Sequence, residues 1–213
     1  MKRFLLAAIG LAALCGSASA QINFVPQPGV TSGYYAKNTF SSAFFGLVPP
    51  ASATDMVCIT GSASKVVRVD RIVLTGTAGT LVQLPVQVVR RATADTGGTL
   101  ATTTANPGVT TQIASRDTGQ TLNTSATAVL ASYTAVPTIN DAAPVYLDSQ
   151  LLTLAVTSVA TQAVPTIFDW SRDIENNVQV PTLRGVAQQL CVNFNAVSIS
   201  SGVLNGAITW SEE

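Results

Sequence analysis

Apolar residues recur at every second position along most of this chain. Residues 81–91 place Val82, Leu84, Val86 and Val88 on one face, and residues 190–197 do the same with Leu190, Val192, Phe194 and Ala196. A period of two marks a strand buried on one side. Further strands are predicted at 54–60, 65–75, 128–135, 145–147, 151–159, 166–170, 178–184 and 203–210. Beyond the first twenty residues no window sustains a 3.6-residue apolar period. Seven to ten short strands at this spacing predict an all-β fold, specifically an antiparallel β-sandwich of jelly-roll type.

Breaks in the alternation carry their own predictions. In 65–75, Val67 and Val69 share one face while Ile72 and Leu74 take the other parity, so a β-bulge is expected at Asp70-Arg71. Pro85 lies on the outer parity of its strand and has no N–H to donate. That strand is therefore an edge, or pairs on only one side of Pro85. Residues 189–197 and 203–210, with a turn near Ser200-Ser201-Gly202, read as a closing hairpin whose Leu204, Ile208 and Trp210 point inward. Residues 92–127 are rich in Thr, Ala, Gly, Asn and Ser and read as exposed loops with one short strand at most.

The first 53 residues follow a different pattern. Lys2 and Arg3, an apolar run over 4–14 and Ala18-Ser19-Ala20 match a signal helix cleaved before Gln21. The run is too short for a stable membrane span. Residues 21–53 carry Pro26, Pro28, Pro49 and Pro50 with Phe24, Tyr34, Tyr35, Phe40, Phe44 and Phe45. Prolines discourage regular structure and aromatics need burial. An irregular arm is expected, strapped along its own sandwich or docked on a neighbouring subunit. The chain thus divides into a signal peptide (1–20), an arm (21–53) and one β-sandwich domain (54–213).

Composition narrows the function. The 193 residues left after cleavage suffice for one domain with its own core. Removing Lys2 and Arg3 leaves 9 basic residues against 11 acidic ones, which offers no footprint for nucleic acid or an anionic membrane. Such a sparsely charged surface suits protein contacts or self-association. The chain has no histidine, so Ser-His-Asp, Cys-His and His-based metal sites are excluded. Cys15 falls in the signal, where Leu14 argues against lipidation. Cys58 and Cys191 remain, and an even pair in an oxidising compartment favours a disulfide. Cys191 also shares the polar face of its strand with Asn193 and Asn195, whereas a free thiol prefers an apolar site.

Two groups of residues could carry chemistry. Asp169, Asp173 and Glu175, around Trp170 and Arg172, could form a Ca²⁺ loop or a carboxylate pair with a stacking tryptophan. They could equally be a polar loop screened by Arg172, and no cofactor is expected. Trp170, Tyr133 and Tyr146 are the aromatic residues suited to contact a glycan. Arg90-Arg91 beside Asp95, and Arg68-Asp70-Arg71, read as cross-strand ion pairs on strand faces.

Three stretches carry a resemblance: residues 54–72, running through Gly61-Ser62-Ala63-Ser64-Lys65; Val89-Arg90-Arg91-Ala92-Thr93-Ala94-Asp95-Thr96-Gly97-Gly98-Thr99; and Leu183-Arg184-Gly185-Val186-Ala187-Gln188-Gln189-Leu190 with the closing Ile208-Thr209-Trp210-Ser211-Glu212-Glu213. Together they resemble a group of β-sandwich proteins met in tailed-phage and bacterial genomes. The resemblance spans about residues 54–213 and implies a structural, virion-associated or surface-exposed role without catalytic residues. The signal peptide and the two cysteines depart from that group and point to an exported version. The expected function is a non-enzymatic, exported structural or surface-interaction protein, periplasmic, extracellular or surface-associated, that associates with itself or with protein partners. The alternative is a carbohydrate- or cell-surface-binding adhesin-like domain.

Overall fold

The computed structural model describes residues 38–48, 55–97, 99–100, 112–116, 128–131, 138–141, 143–157, 163–171, 179–194 and 202–213. Their strands are β1 (Asn38–Leu47), β2 (Asp55–Thr60), β3 (Val66–Ala78), β4 (Val82–Arg91), β5 (Thr99–Leu100), β6 (Gln112–Ser115), β7 (Ala128–Ala131), β8 (Val145–Val156), β9 (Thr166–Asp169), β10 (Thr182–Arg184), β11 (Gln189–Asn193) and β12 (Val203–Glu212). They form one curled sheet in the order β5-β7-β2-β11-β4-β8-β3-β12-β1-β6, with β9 and β10 added along β3. The protein is all-β, and the sheet bends into a half-barrel. It is mixed, not purely antiparallel as expected, because β8 runs parallel to β3 at Thr77–Ala155 and Ala78–Val156.

The core fills the concave side. Phe40, Phe44, Met56, Ile59, Val67, Val69, Ile72, Leu74, Leu84, Val86, Val88, Leu152, Leu154, Phe168, Leu183, Leu204, Ile208 and Trp210 all belong to one buried cluster. Full burial of each large member contributes about 1.5–3 kcal/mol. The expected phase change in β3 is present: Thr209 faces Arg71 and Trp210 faces Val69, so Asp70 is the extra residue of a bulge. Val67 and Val69 then reach the same interior as Ile72 and Leu74. Pro85 also sits as its chemistry requires. It faces Leu151 of β8, while β11 pairs with β4 only from Gln87 to Arg91.

Three expectations are corrected. Part of the arm is core: β1 lies between β12 and β6, and the compact unit begins at Ala36 instead of residue 54. Phe40 stacks on its register partner Trp210 with ring centroids 6.0 Å apart, and Phe44 covers Gly206. The chain turns out of register after Phe44 through Gly46 (φ 74°), whose N–H donates to Asn205 Oδ1 at 2.9 Å. The prolines that suggested irregularity flank this strand and do not interrupt it. Secondly, β11 and β12 form no hairpin. Both edges of β11 are taken, by β2 and β4, so β12 crosses to β3 and β1. Thirdly, 145–147 and 151–159 join into the single strand β8. The signal segment and residues 21–37 lie outside the described residues. Among the described residues no helix is long and apolar enough to cross a membrane.

Candidate functional site

Where the sheet curls, β8 leaves β3 and the strands β9 and β10 fill β3's edge instead. The seam between them opens a cleft of about 320 Å³ lined by Arg90, Leu147, Trp170, Gln179, Val180, Pro181 and Thr182. Leu147 is brought there by a bulge: Asp148 faces Val88 and Tyr146 faces Val89, leaving Leu147 as the extra residue. Trp170 follows β9 directly. Its ring is half-buried and stacks on Phe168, with centroids 6.1 Å apart and planes 18° apart. One side of the indole thus rests on core while the residue lines the cleft. This is the arrangement in which an aromatic ring serves as a platform for a ligand ring.

Tyr146 is 61% exposed on β8 and does not line that cleft. It is one of four exposed apolar residues on the same strand, with Val145, Leu147 and Leu151, and shares its outward face with Leu151. Tyr133, Asp173 and Glu175 lie outside the described residues. Asp169, the remaining member of the acidic group, ends β9 opposite Arg71 and forms an ion pair with it at 3.9 Å. The N–H and Oγ of Ser171 both donate to Asp169 Oδ1, at 3.0 and 2.5 Å.

The disulfide is present between Cys58 and Cys191. The two residues face each other in register on β2 and β11, with Cα atoms 4.1 Å apart. Strand parity placed Cys191 off the apolar face, and there it stands, but that second face is buried as well: every residue of β11 is buried. A bulge in β2 turns Asp55 to this face opposite Asn193, while Met56 goes to the core. The segments carrying Asp95 and Asp141 close over it, joined by two backbone hydrogen bonds between Thr96 and Thr138.

Sequence reasoning missed what fills this space. Arg91 enters opposite Gln189 and reaches across β11 to Asp55, to which Nε and Nη2 both donate, the latter at 3.0 Å. Asn193 Nδ2 donates to Asp55 Oδ1 at 2.6 Å, and Arg91 Nη1 to the Asp141 carbonyl at 3.3 Å. The Asp95 carboxyl lies 3.8 Å from Arg91 Nε and 3.7 Å from the Cys58 sulfur. Its backbone N–H donates to Gln189 Oε1 at 2.7 Å, and Gln189 Nε2 donates to Thr60 Oγ1 at 2.8 Å. The sequence predicts cross-strand ion pairing on a strand face for Arg91 and Asp95; they do lie in ion-pair range, but both are buried. Burial, reinforced by a hydrogen bond with Asp55 and by its charge, pushes the Asp95 carboxyl up to about 7 against the pull of Arg91. Burial also works against the charge on Arg91, and Asp55, Asp95 and Asp141 more than offset it. Backbone N–H groups of Ala143 and Ala92 hold Asp141 below the usual carboxylate range.

Asp55, Cys58, Asp95 and Cys191 bring potential metal-ligating atoms within 4.8 Å of one another. The chemistry of this set does not suit a cation. The sulfurs are tied to each other, so neither is a thiolate, and Arg91 already occupies Asp55. Enclosed and internally bonded, the network is a structural lock.

Comparison of the chain with protein-family models, with curated proteins and with solved structures finds no match. The functional argument rests on the residues themselves.

Proposed function

We propose that this chain is a non-enzymatic, exported structural or surface-interaction module that associates with itself, its curled sheet being the open form of a sandwich of jelly-roll type. The observation that carries this reading is the outward face of β8, where Tyr146 and Leu151 are 61% and 64% exposed. Tyr146, opposite Val89, and Leu151, opposite Pro85, both face away from the core residues Val86 and Val88, and exposed apolar side chains gathered on one face mark interaction sites. A second copy is the favoured occupant because the mature chain carries 9 basic against 11 acidic residues, so two copies meet with little net repulsion. The disulfide supports an oxidising compartment. The resemblance to phage and bacterial β-sandwich proteins supports a structural, virion-like or cell-surface role.

Light scattering across a concentration series tests self-association. The mature protein is expected to dimerise or oligomerise, and Tyr146→Asp with Leu151→Asp to remain monomeric. A wild-type monomer at every concentration overturns the reading. Export is tested by the N-terminus of protein recovered from a bacterial periplasm, expected at Gln21.

Glycan binding is the second reading, favoured by the Trp170 cleft with Arg90, Gln179 and Thr182 on its walls. The chain has two tryptophans and Trp210 is fully buried, so a fluorescence change on glycan addition reports on Trp170. Titration with neutral oligosaccharides is expected to give a saturable change that Trp170→Ala abolishes. A flat titration overturns this reading.

A further inference from the structure

The convex face of the sheet holds a second cleft, of about 350 Å³, lined by Thr39, Asp70, Arg71, Arg116, Asp169, Ser171, Thr209 and Ser211. Its residues alternate with core residues: Thr39 precedes Phe40, Thr209 and Ser211 flank Trp210, and Asp169 follows Phe168. Register brings them together, since Thr39 faces Ser211 across β1 and β12, and Thr209 faces Arg71 across β12 and β3. Arg116, just past β6, is fixed by its N–H donating to the Thr39 carbonyl at 2.8 Å. Strand pairing therefore builds this cleft from five elements, β1, β3, β6, β9 and β12, and its walls do not depend on a single loop.

The cleft sets two carboxylates, Asp70 and Asp169, against two guanidinium groups, Arg71 and Arg116, and its donor capacity lies in the guanidinium N–H groups and in the Thr209 and Ser211 hydroxyls. Asp169 is already engaged by Arg71 and by both donors of Ser171. The Arg116 guanidinium makes no ion pair among the described residues, and Arg71 turns only Nε toward Asp169, at 3.9 Å. Ser211 is 3% exposed on what should be the solvent face, and its Oγ has no hydrogen-bond partner. A buried hydroxyl without a partner costs stability unless something else meets it. Two guanidinium groups with free forks over a hydroxyl-bearing floor call for an acceptor-rich, planar, anionic group, the match that Arg makes best with a carboxylate. The volume lies at the small end of ligand sites, which fits a ligand of about one ring.

We propose that this cleft binds the carboxylate of a small acidic ligand, Arg71 and Arg116 holding the anion while Thr209 and Ser211 meet its oxygens. The site lies across β9 from the Trp170 cleft and does not depend on glycan binding there. The carboxylate could be carried by an acidic sugar or by the end of a peptide, and the probes separate these sources.

Calorimetric titration of the mature protein with glucuronate, N-acetylglycine, glucose and inorganic phosphate tests the proposal. At least one of the two carboxylates is expected to bind saturably, roughly tenfold or more tighter than glucose, and more weakly as salt is raised. Arg116→Gln and Arg71→Gln are each expected to weaken that binding by roughly tenfold or more at unchanged melting temperature. Two substitutions guard against a misfolded variant being read as a lost site. Trp170→Ala is expected to leave it unchanged, which keeps this result apart from the other cleft. Tighter binding of glucuronate assigns the site to acidic sugars, and tighter binding of N-acetylglycine to peptide ends. Equal binding of glucose, preference for phosphate, no saturable carboxylate binding, or full affinity in both arginine variants overturns the proposal.

Discussion

Asp95 keeps its proton to about pH 7 in the folded protein, against an ordinary value of 3.8. The folded state therefore binds the extra proton between those values. The resulting stability is fully present below about pH 4 and is lost as pH rises toward 7. One proton gives a slope of at most about 1.4 kcal/mol per pH unit. Urea unfolding from pH 4.5 to 7.5 is expected to show stability falling across this window, and Asp95→Asn to flatten it. An equal fall in the variant would place the titrating group elsewhere. Nothing in the sequence around Arg91 and Asp95 announces their burial. Four residues apart on a polar stretch, they look like a solvated pair. They are enclosed because the second face of β11 is covered by segments distant in sequence, and such coverage leaves no local period to read. Cys191 was more legible, since its parity against Leu190 and Val192 is local.

At the scale of elements, alternation located most strands, and the phase change in β3 located its bulge at Asp70. It did not reveal partners. The edges of β11 are occupied by β2 and β4, so adjacency in sequence misled for β12. The strand β1 was hidden for another reason. Polar Ser42 fills the buried position between Phe40 and Phe44, and the bulge at Gly46 puts Leu47 three residues after Phe44, so the apolar period of two is interrupted twice. Gly206 shows how closely β1 is fitted: a Cβ there would lie 2.2 Å from the Val73 carbonyl oxygen and 2.5 Å from the Phe44 ring. Backbone cannot yield as a side chain can. Gly206→Ala is expected to destabilise by at least about 1–3 kcal/mol, the usual range for overpacking, and Phe44→Ala by about 3–5 kcal/mol. Thermal and urea melts check both. An arm merely resting on the domain would give far smaller losses for Phe44.

For the whole molecule, the count of strands and the absence of helical periodicity gave the all-β class, while closure was not legible. Whether a sheet folds into two layers or curls as one depends on where strands cross. Here the parallel junction of β8 with β3 decides it, through pairing that short-range pattern does not encode. Stability at this scale leans on the disulfide, which joins residues 133 apart. By the chain-entropy model such a loop is worth about 5 kcal/mol. The double variant Cys58→Ser, Cys191→Ser is expected to lose a stability of that order in urea unfolding, and reduction of the wild-type protein to match it.

The position of that bond in the chain has a further consequence. It closes a covalent ring that contains β3 to β10 and leaves β1 and β12 outside as two tails, which pair with each other, β12 pairing also with β3 and β1 with β6. A single peptide cut anywhere between residues 58 and 191 opens the ring without releasing a fragment. The nicked protein stays one molecule, with every strand still tethered to the rest, until a reductant reaches the sulfurs. A cut between a tail strand and the ring leaves that strand held by hydrogen bonds and packing alone. The molecule is thus guarded against loss of a fragment after a first proteolytic event along most of its length.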